Sequence, residues 1–222
     1  MALSVVIPAL DEGERIEAAL ASATAPGVEV LVVDGGSRDD TVARARRAGA
    51  RVLEAPPGRA RQLDAGARAA LGDVLLFLHA DTVLPSQYQI AVARALEDPA
   101  VAGGAFRFRF DRRSLGLRIV EWGARLRVAL FQLPYGDQAL FLRRCVLEAL
   151  GGVPQVPIME DLDLARAIRR EGRLVALAFP ATTSARRYEA HGALRTMLRN
   201  WIAAAAWALG ADRARVAAWY RR

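Results

Sequence analysis

The chain contains no lysine. Its 31 basic residues are all arginine, and against 24 carboxylates they give a formal charge of +7. A phosphate loop ending in Gly-Lys-Ser/Thr is therefore excluded. Codon bias explains missing lysines without a functional cause. A guanidinium fork also suits phosphates and anionic surfaces, and the two explanations are compatible. Cysteine is nearly absent: Cys145 stands alone, so neither an internal disulfide nor a cysteine metal cluster can form. A reducing cytosol is the natural setting. No uncharged apolar run approaches the roughly 18 residues needed to span a bilayer. The first residues lack a basic stretch and run quickly into Asp11-Glu12, so no signal peptide is expected. These features predict a cytoplasmic chain, soluble or peripheral at the inner membrane face. No helix-turn-helix, zinc-finger or aromatic RNA-binding signature occurs and the arginines are dispersed, so nucleic acid is not an expected partner.

What is present is a regular alternation of apolar runs and helical patterns over 222 residues, 53% of them hydrophobic. That length and pattern predict one α/β domain with a mostly parallel central sheet and flanking helices. Strands are expected at residues 3–8, 28–33, 51–53, 74–78, 105–110, 139–142 and 174–179. The run Val28 to Val33 is almost continuously apolar, as a central parallel strand requires. Between residues 105 and 110, Phe106, Phe108 and Phe110 alternate with Arg107 and Arg109, which separates a buried from an open side. Helices are expected at residues 14–23, 59–71, 86–96, 115–130 and 160–170, and another opens at Ser37 as N-cap with Asp40 three residues on. From Leu194 to Leu209 the apolar residues fall on one helical face. Core packing or a homodimer contact is the expected use of that stripe. A membrane contact is the rival use, because Arg195, Arg199, Arg213, Arg215 and the tail Trp219-Tyr220-Arg221-Arg222 flank it.

Ligands of open α/β sheets sit beyond the carboxyl ends of the strands. Three aspartates fall there: Asp11 after the first strand, Asp34 after the second and Asp81 after the strand ending at Leu78. One such residue is an ordinary turn; three on one edge point to a site. The first turn, Pro8-Ala9-Leu10-Asp11-Glu12-Gly13, lacks the spaced glycines of a dinucleotide fold.

Four segments in order carry a resemblance: Ser4-Val5-Val6-Ile7-Pro8-Ala9-Leu10-Asp11-Glu12, Val33-Asp34-Gly35-Gly36-Ser37, Leu78-His79-Ala80-Asp81-Thr82 and Met159-Glu160-Asp161-Leu162-Asp163-Leu164. The chain resembles the family-2 glycosyltransferases of the GT-A fold. Gly58-Arg59-Ala60-Arg61-Gln62-Leu63 and Tyr135-Gly136-Asp137-Gln138 are similar to a small bacterial subgroup of that family. The resemblance implies a nucleotide-binding half over residues 1–100, an acceptor and catalytic half over 101–190, and C-terminal helices over 191–222.

It also implies inverting transfer from a nucleotide-sugar donor to a small-molecule or lipid-linked acceptor, assisted by Mn²⁺ or Mg²⁺. Asp11 and Asp34 would line the nucleotide pocket, Asp81 would carry the metal end of an Asp-x-Asp motif, and Asp137 would lie near a sugar. Asp161 would be the general base, with Glu160 its close alternative and Asp163 pointing elsewhere. His79 replaces the first motif aspartate and is expected to be a packed strand-end residue, which leaves His191 as a candidate second metal ligand. Arg59 and Arg61, at a loop-to-helix junction, are candidate phosphate ligands, with a solvated helix face as the alternative. Arg186-Arg187-Tyr188 either closes over the diphosphate or lies on the surface. Processive polysaccharide synthases are excluded by the missing spans and the missing Gln-x-x-Arg-Trp motif. A nucleotidyltransferase would need a glycine- and lysine-bearing first loop. A binding domain without catalysis would not need the Glu160-Asp161 pair.

Overall fold

The structure, a computed structural model, describes residues 1–220. Arg221 and Arg222 of the basic tail lie outside the described residues. The first half alternates strand and helix: β1 (Leu3–Ala9), α1 (Ile16–Ala23), β2 (Val28–Asp34), α2 (Thr41–Arg47), β3 (Arg51–Glu54), α3 (Arg59–Ala69), β4 (Val74–Phe77), β5 (Thr82–Val83) and α4 (Tyr88–Ala95). The second half runs β6 (Val101–Phe110), α5 (Leu115–Phe131), a short 3₁₀ turn (Gly136–Gln138), β7 (Leu140–Arg143), α6 (Arg144–Ala149), α7 (Glu160–Glu171), β8 (Arg173–Thr183), α8 (Arg186–His191), α9 (Ala193–Ala208) and α10 (Arg213–Tyr220).

All eight strands form one sheet in the order β3-β2-β1-β4-β7-β6-β8-β5. The block β3-β2-β1-β4 is parallel, and so is the pair β6-β8. Between them β7 runs antiparallel to both neighbours, and β5 closes the edge antiparallel to β8. The parallel block is apolar on both faces because helices cover both. Leu3, Val5 and Ile7 of β1 join Ile16 and Leu20 of α1 and Tyr88 of α4 in one core layer. Val6 turns the other way, to Leu63 and Ala67 of α3 and Ile168 of α7. The Phe106, Phe108, Phe110 alternation is as expected: all three rings are buried and Arg107 and Arg109 are exposed.

Two expectations are corrected. Ser37 is not the N-cap of α2; that position is Asp40, without a side-chain cap bond. The Ser37 hydroxyl is engaged by Asp34 and by the Asp11 amide, so the chain makes a loop before α2 can start. The α9 stripe is not core either. Thr196, Ala203 and Trp207 are the buried residues of that helix, while Leu194, Leu198, Trp201, Ile202 and Leu209 are exposed. Thr196 and Ala203 let α9 lie close to the body, Trp207 anchors its end there, and most of its large apolar side chains point outward.

Candidate active site

The carboxyl ends of β1, β2 and β4 lie side by side, with Ala9 paired to Asp34 in register. The loops leaving β1 and β2 are stitched together. Asp11, in a left-handed backbone conformation (φ 52°), accepts from the Arg38 amide at 2.8 Å and donates its own amide to Ser37 Oγ at 2.9 Å. Asp39 accepts from the Thr41 hydroxyl and from the amides of Gly13 at 2.9 Å and Thr41 at 3.0 Å, and these bonds, the hydroxyl's first, hold its carboxyl below the usual carboxylate range. Asp34 is buried and accepts from the amides of Gly36 and Ser37 and from the Ser37 hydroxyl. Its first task is therefore to shape the loop. Beneath the loops, the buried Gln62 amide of α3 donates 2.8 Å bonds to the carbonyls of Ala9 and Val33. Sequence reasoning missed Gln62 and Asp39, since a polar residue in a helix or turn carries no pattern of its own.

Past β4 the chain delivers His79 and Asp81 into a cavity of about 170 Å³ shared with Arg59, Asp137, Asp161 and Tyr188. Burial and the Arg59 charge push the His79 imidazole down to about 3, so it is neutral at physiological pH. Gly136 lies against it; a Cβ there would sit 2.7 Å from His79 Nε2 and 3.5 Å from Asp161 Oδ2. His79 is thus a packed residue, as expected, and also a wall of the cavity. Glu12, which sequence reasoning did not single out, lines an adjoining cavity with Asp81, His79 and Arg59. Burial raises its carboxyl, its ion pair with Arg186 opposes the rise, and the Asp81 charge adds to it.

Asp161 sits at the start of α7, after Met159 in a left-handed conformation (φ 66°). Its Oδ2 accepts from the Gly136 amide at 2.8 Å and its Oδ1 from the Leu162 amide at 2.9 Å. Burial and the neighbouring Glu160 charge raise its carboxyl, against the pull of Arg59 and of those two amides. Glu160 is 3% exposed and is committed to an ion pair with Arg59 Nε. Asp163 does point elsewhere: it accepts from Trp207 Nε1 at 2.8 Å and pairs with Arg213 at 3.0 Å. Asp137 lies in the 3₁₀ turn. Burial pushes it up to about 6, and its Oδ1 is buried without a hydrogen-bond partner among the described residues. The turn is fixed from α5: Arg127 donates to Leu133 O and Gln138 Oε1 at 2.9 and 3.0 Å, and its guanidinium lies 3.3 Å over the Tyr135 ring.

A second cavity, about 920 Å³, opens on the other side of Arg59 and Glu160. Arg61, Arg187, Arg195 and Arg199 line it, and among the described residues its one carboxylate is the Glu160 already paired with Arg59. His191 also belongs to this cavity, at the end of α8, and not to the walls around Asp81. Among the described residues no three of His, Cys, Asp and Glu converge as a metal cluster. Arg186 closes onto Glu12, whereas Arg187 lines both cavities and lies 4.7 Å over the Tyr220 ring.

The model of the family described as glycosyl transferase family 2 matches residues 4–146. A glucosyl-3-phosphoglycerate synthase of Mycolicibacterium paratuberculosis is 32% identical over 178 residues, which is 68% of this chain and 51% of the relative. An uncharacterized glycosyltransferase of Mycobacterium bovis is 42% identical over 81 residues, 36% of this chain and 37% of the relative. The chain thus spans about half the length, or less, of these curated relatives. The crystal structure of the Mycobacterium tuberculosis glucosyl-3-phosphoglycerate synthase, in complex with Mn²⁺, uridine diphosphate and glucosyl-3-phosphoglycerate, superposes with a TM-score of 0.70 at 24% identity, covering 95% of this chain and 81% of the other. That likeness shows the shared fold, α/β with helices flanking a largely parallel sheet. The match over residues 4–146 takes in both the stitched loops and the His79-Ala80-Asp81 segment, and it shows that the chain belongs to glycosyl transferase family 2.

Proposed function

We propose that this chain transfers a sugar from a nucleotide-diphosphate donor, UDP-glucose being the first candidate, to a hydroxyl of an anionic acceptor, with inversion at the anomeric carbon. One observation carries the reading: Asp81, His79 and the raised carboxyl of Asp161 face one cavity at the carboxyl edge of the sheet. The acceptor O–H gives its proton to Asp161 while its oxygen bonds to the anomeric carbon. The bond from that carbon to the donor diphosphate breaks, and the nucleoside diphosphate leaves. Each Asp161 oxygen accepts one backbone N–H and keeps a second lone pair for that proton. Glu160 orients Arg59 beside the base. Asp11 and the loop held by Asp34 form the nucleotide rim, with Arg59 and Arg61 on the phosphate side. The chain acts as one domain, with the nucleotide half at residues 1–100 and the acceptor half at 101–190.

The residues fit a hard divalent ion. The Asp81 carboxylate faces the cavity beside Asp137 Oδ1 and Glu12 Oε2, neither of which has a hydrogen-bond partner among the described residues, though Glu12 Oε2 lies 3.7 Å from Arg15. Asp81 would hold the ion together with donor oxygens and water, with neutral His79 nearby. A bound Mn²⁺ or Mg²⁺ would supply charge neutralisation on the departing diphosphate. The anionic acceptor is supported by the arginine-lined cavity, which shares Arg59, Ile158, Arg187 and Tyr220 with the smaller one. A second structure of the M. tuberculosis relative holds UDP-glucose and phosphoglyceric acid.

A thermal-shift panel of UDP-, GDP- and dTDP-sugars, with and without manganese, tests the donor; stabilisation by none of them would sink the reading. Asp161→Asn is expected to retain donor stabilisation and to lose transfer by about 10²–10⁴-fold. Transfer at the wild-type rate would remove Asp161 from the base role.

A further inference from the structure

Helices α5 and α9 lie side by side, joined where α5 has glycines. A Cβ at Gly123 would meet the Met197 sulfur at 3.6 Å and the Trp201 ring at 3.8 Å, and one at Gly116 would meet Ala193 at 3.2 Å. Beside this seam both helices turn large apolar side chains to solvent. Leu115, Ile119 and Trp122 recur at helical spacing on α5, and Leu198, Trp201 and Ile202 do so on α9. Trp122 is 63% exposed and Leu198 59%, in helices that bury a different face. The two rows make one apolar surface that runs about 10 Å along α5, and a contiguous exposed apolar patch marks an interaction site.

The border of this surface is cationic. Arg118 and Arg125 are exposed on the α5 side and Arg195 on the α9 side, where Arg199 is half-buried and donates to the carbonyls of Trp219 and Tyr220. α9 contains no carboxylate, and the single one of α5, Glu121, is turned inward to accept from the Phe110 amide at 2.9 Å. We infer that the α5–α9 face seats the protein on an anionic lipid surface, with the apolar rows at the acyl boundary and the arginines among the headgroups. Tryptophans placed like Trp122 and Trp201 suit that depth. No helix of the described residues is long and apolar enough to cross a bilayer, so the face lies on the membrane and does not enter it as a span. Charge decides against a second copy as the occupant. Self-pairing of this face would set arginine edges together with no carboxylate to meet them, in a chain already at +7. Because Arg195 and Arg199 also line the 920 Å³ cavity, docking places its mouth beside the headgroups. This inference does not depend on the proposed transfer reaction.

Flotation with vesicles of phosphatidylcholine, with and without phosphatidylglycerol, tests it. The chain is expected to float with the anionic vesicles at low salt, with a blue shift of tryptophan emission, and to release at about 0.5 M salt, where charge attraction is screened. Trp122→Glu with Leu198→Glu should abolish binding while the far-ultraviolet spectrum and melting temperature stay unchanged. Arg118→Gln with Arg125→Gln should weaken it roughly thirtyfold, at about 1 kcal/mol for each arginine. No binding to anionic vesicles at low salt overturns the inference, and so does unchanged binding by the Trp122→Glu, Leu198→Glu variant. A dimer in analytical ultracentrifugation that this variant dissociates would assign the face to a second copy instead.

Discussion

Asp137 makes the sharpest test of how this site is built. Burial holds its carboxyl at about 6, against 3.8 for an unperturbed aspartate, and one of its oxygens has no hydrogen-bond partner among the described residues. The folded chain keeps this proton up to about pH 6, while the unfolded chain releases it near 3.8. Between those values the folded state binds more protons, so stability falls as pH rises through the window. The full difference corresponds to about 3 kcal/mol at neutral pH. The side chain is not wholly removed from solvent, so about 2 kcal/mol is the expected penalty. Asp137→Asn removes the charge and keeps the shape. At pH 8 it should raise the melting temperature by about 4–8 °C for a chain of this size. At pH 4 wild type and variant should melt together. Raised carboxyls at Glu12 and Asp161 act in both proteins, so the difference between the two curves reports mainly Asp137, with a smaller part from relief of Asp161. Transfer should fall in the same variant, because a carboxylate kept at the expense of stability is kept for the site. Equal melting at pH 8, or a gain that persists unchanged at pH 4, would refute the account.

The parallel half of the fold is legible in the sequence for a physical reason. Strands buried on both faces read as unbroken apolar runs, and β1, β2 and β4 fall where those runs are. Their carboxyl ends then place Asp11, Asp34 and Asp81 together. The antiparallel insertion of β7 is not legible, because four residues of apolar strand do not state their direction. Periodicity alone shows that α9 has an apolar face but not which neighbour covers it; the body of the protein covers the face with Thr196, Ala203 and Trp207 instead. Ser37 is a good N-cap by composition, yet its hydroxyl is taken up by Asp34 and by the Asp11 amide, and the N-cap falls three residues later at Asp40. Side chains that act on distant backbone are the least visible. Gln62 closes two strand ends and Arg127 fixes the Asp137 turn, each through contacts that residue type and spacing do not encode.

Two further outcomes concern the centre of the site. Gly136→Ala would push a methyl group to 2.7 Å from His79 Nε2 and strain the turn that gives Asp161 one of its amides. It should cost about 1–3 kcal/mol in urea unfolding and depress the transfer rate more than donor affinity, whereas wild-type kinetics would mean that the turn does not position the base. The last outcome concerns metal removal. His191 lines the arginine cavity and not the Asp81 cavities, and no three ligating side chains converge among the described residues. Affinity for the ion must then come largely from donor oxygens. Manganese alone should leave the melting temperature nearly unchanged, nucleoside diphosphate alone should raise it slightly, and the two together should raise it by more than the sum, because each binds a site that the other completes. Chelation should erase that excess, Asp81→Asn should erase it permanently, and His191→Ala should leave it intact. A manganese shift of full size without nucleotide, or its loss in His191→Ala, would mean that the protein holds the ion by itself and that the C-terminal segment closes onto Asp81.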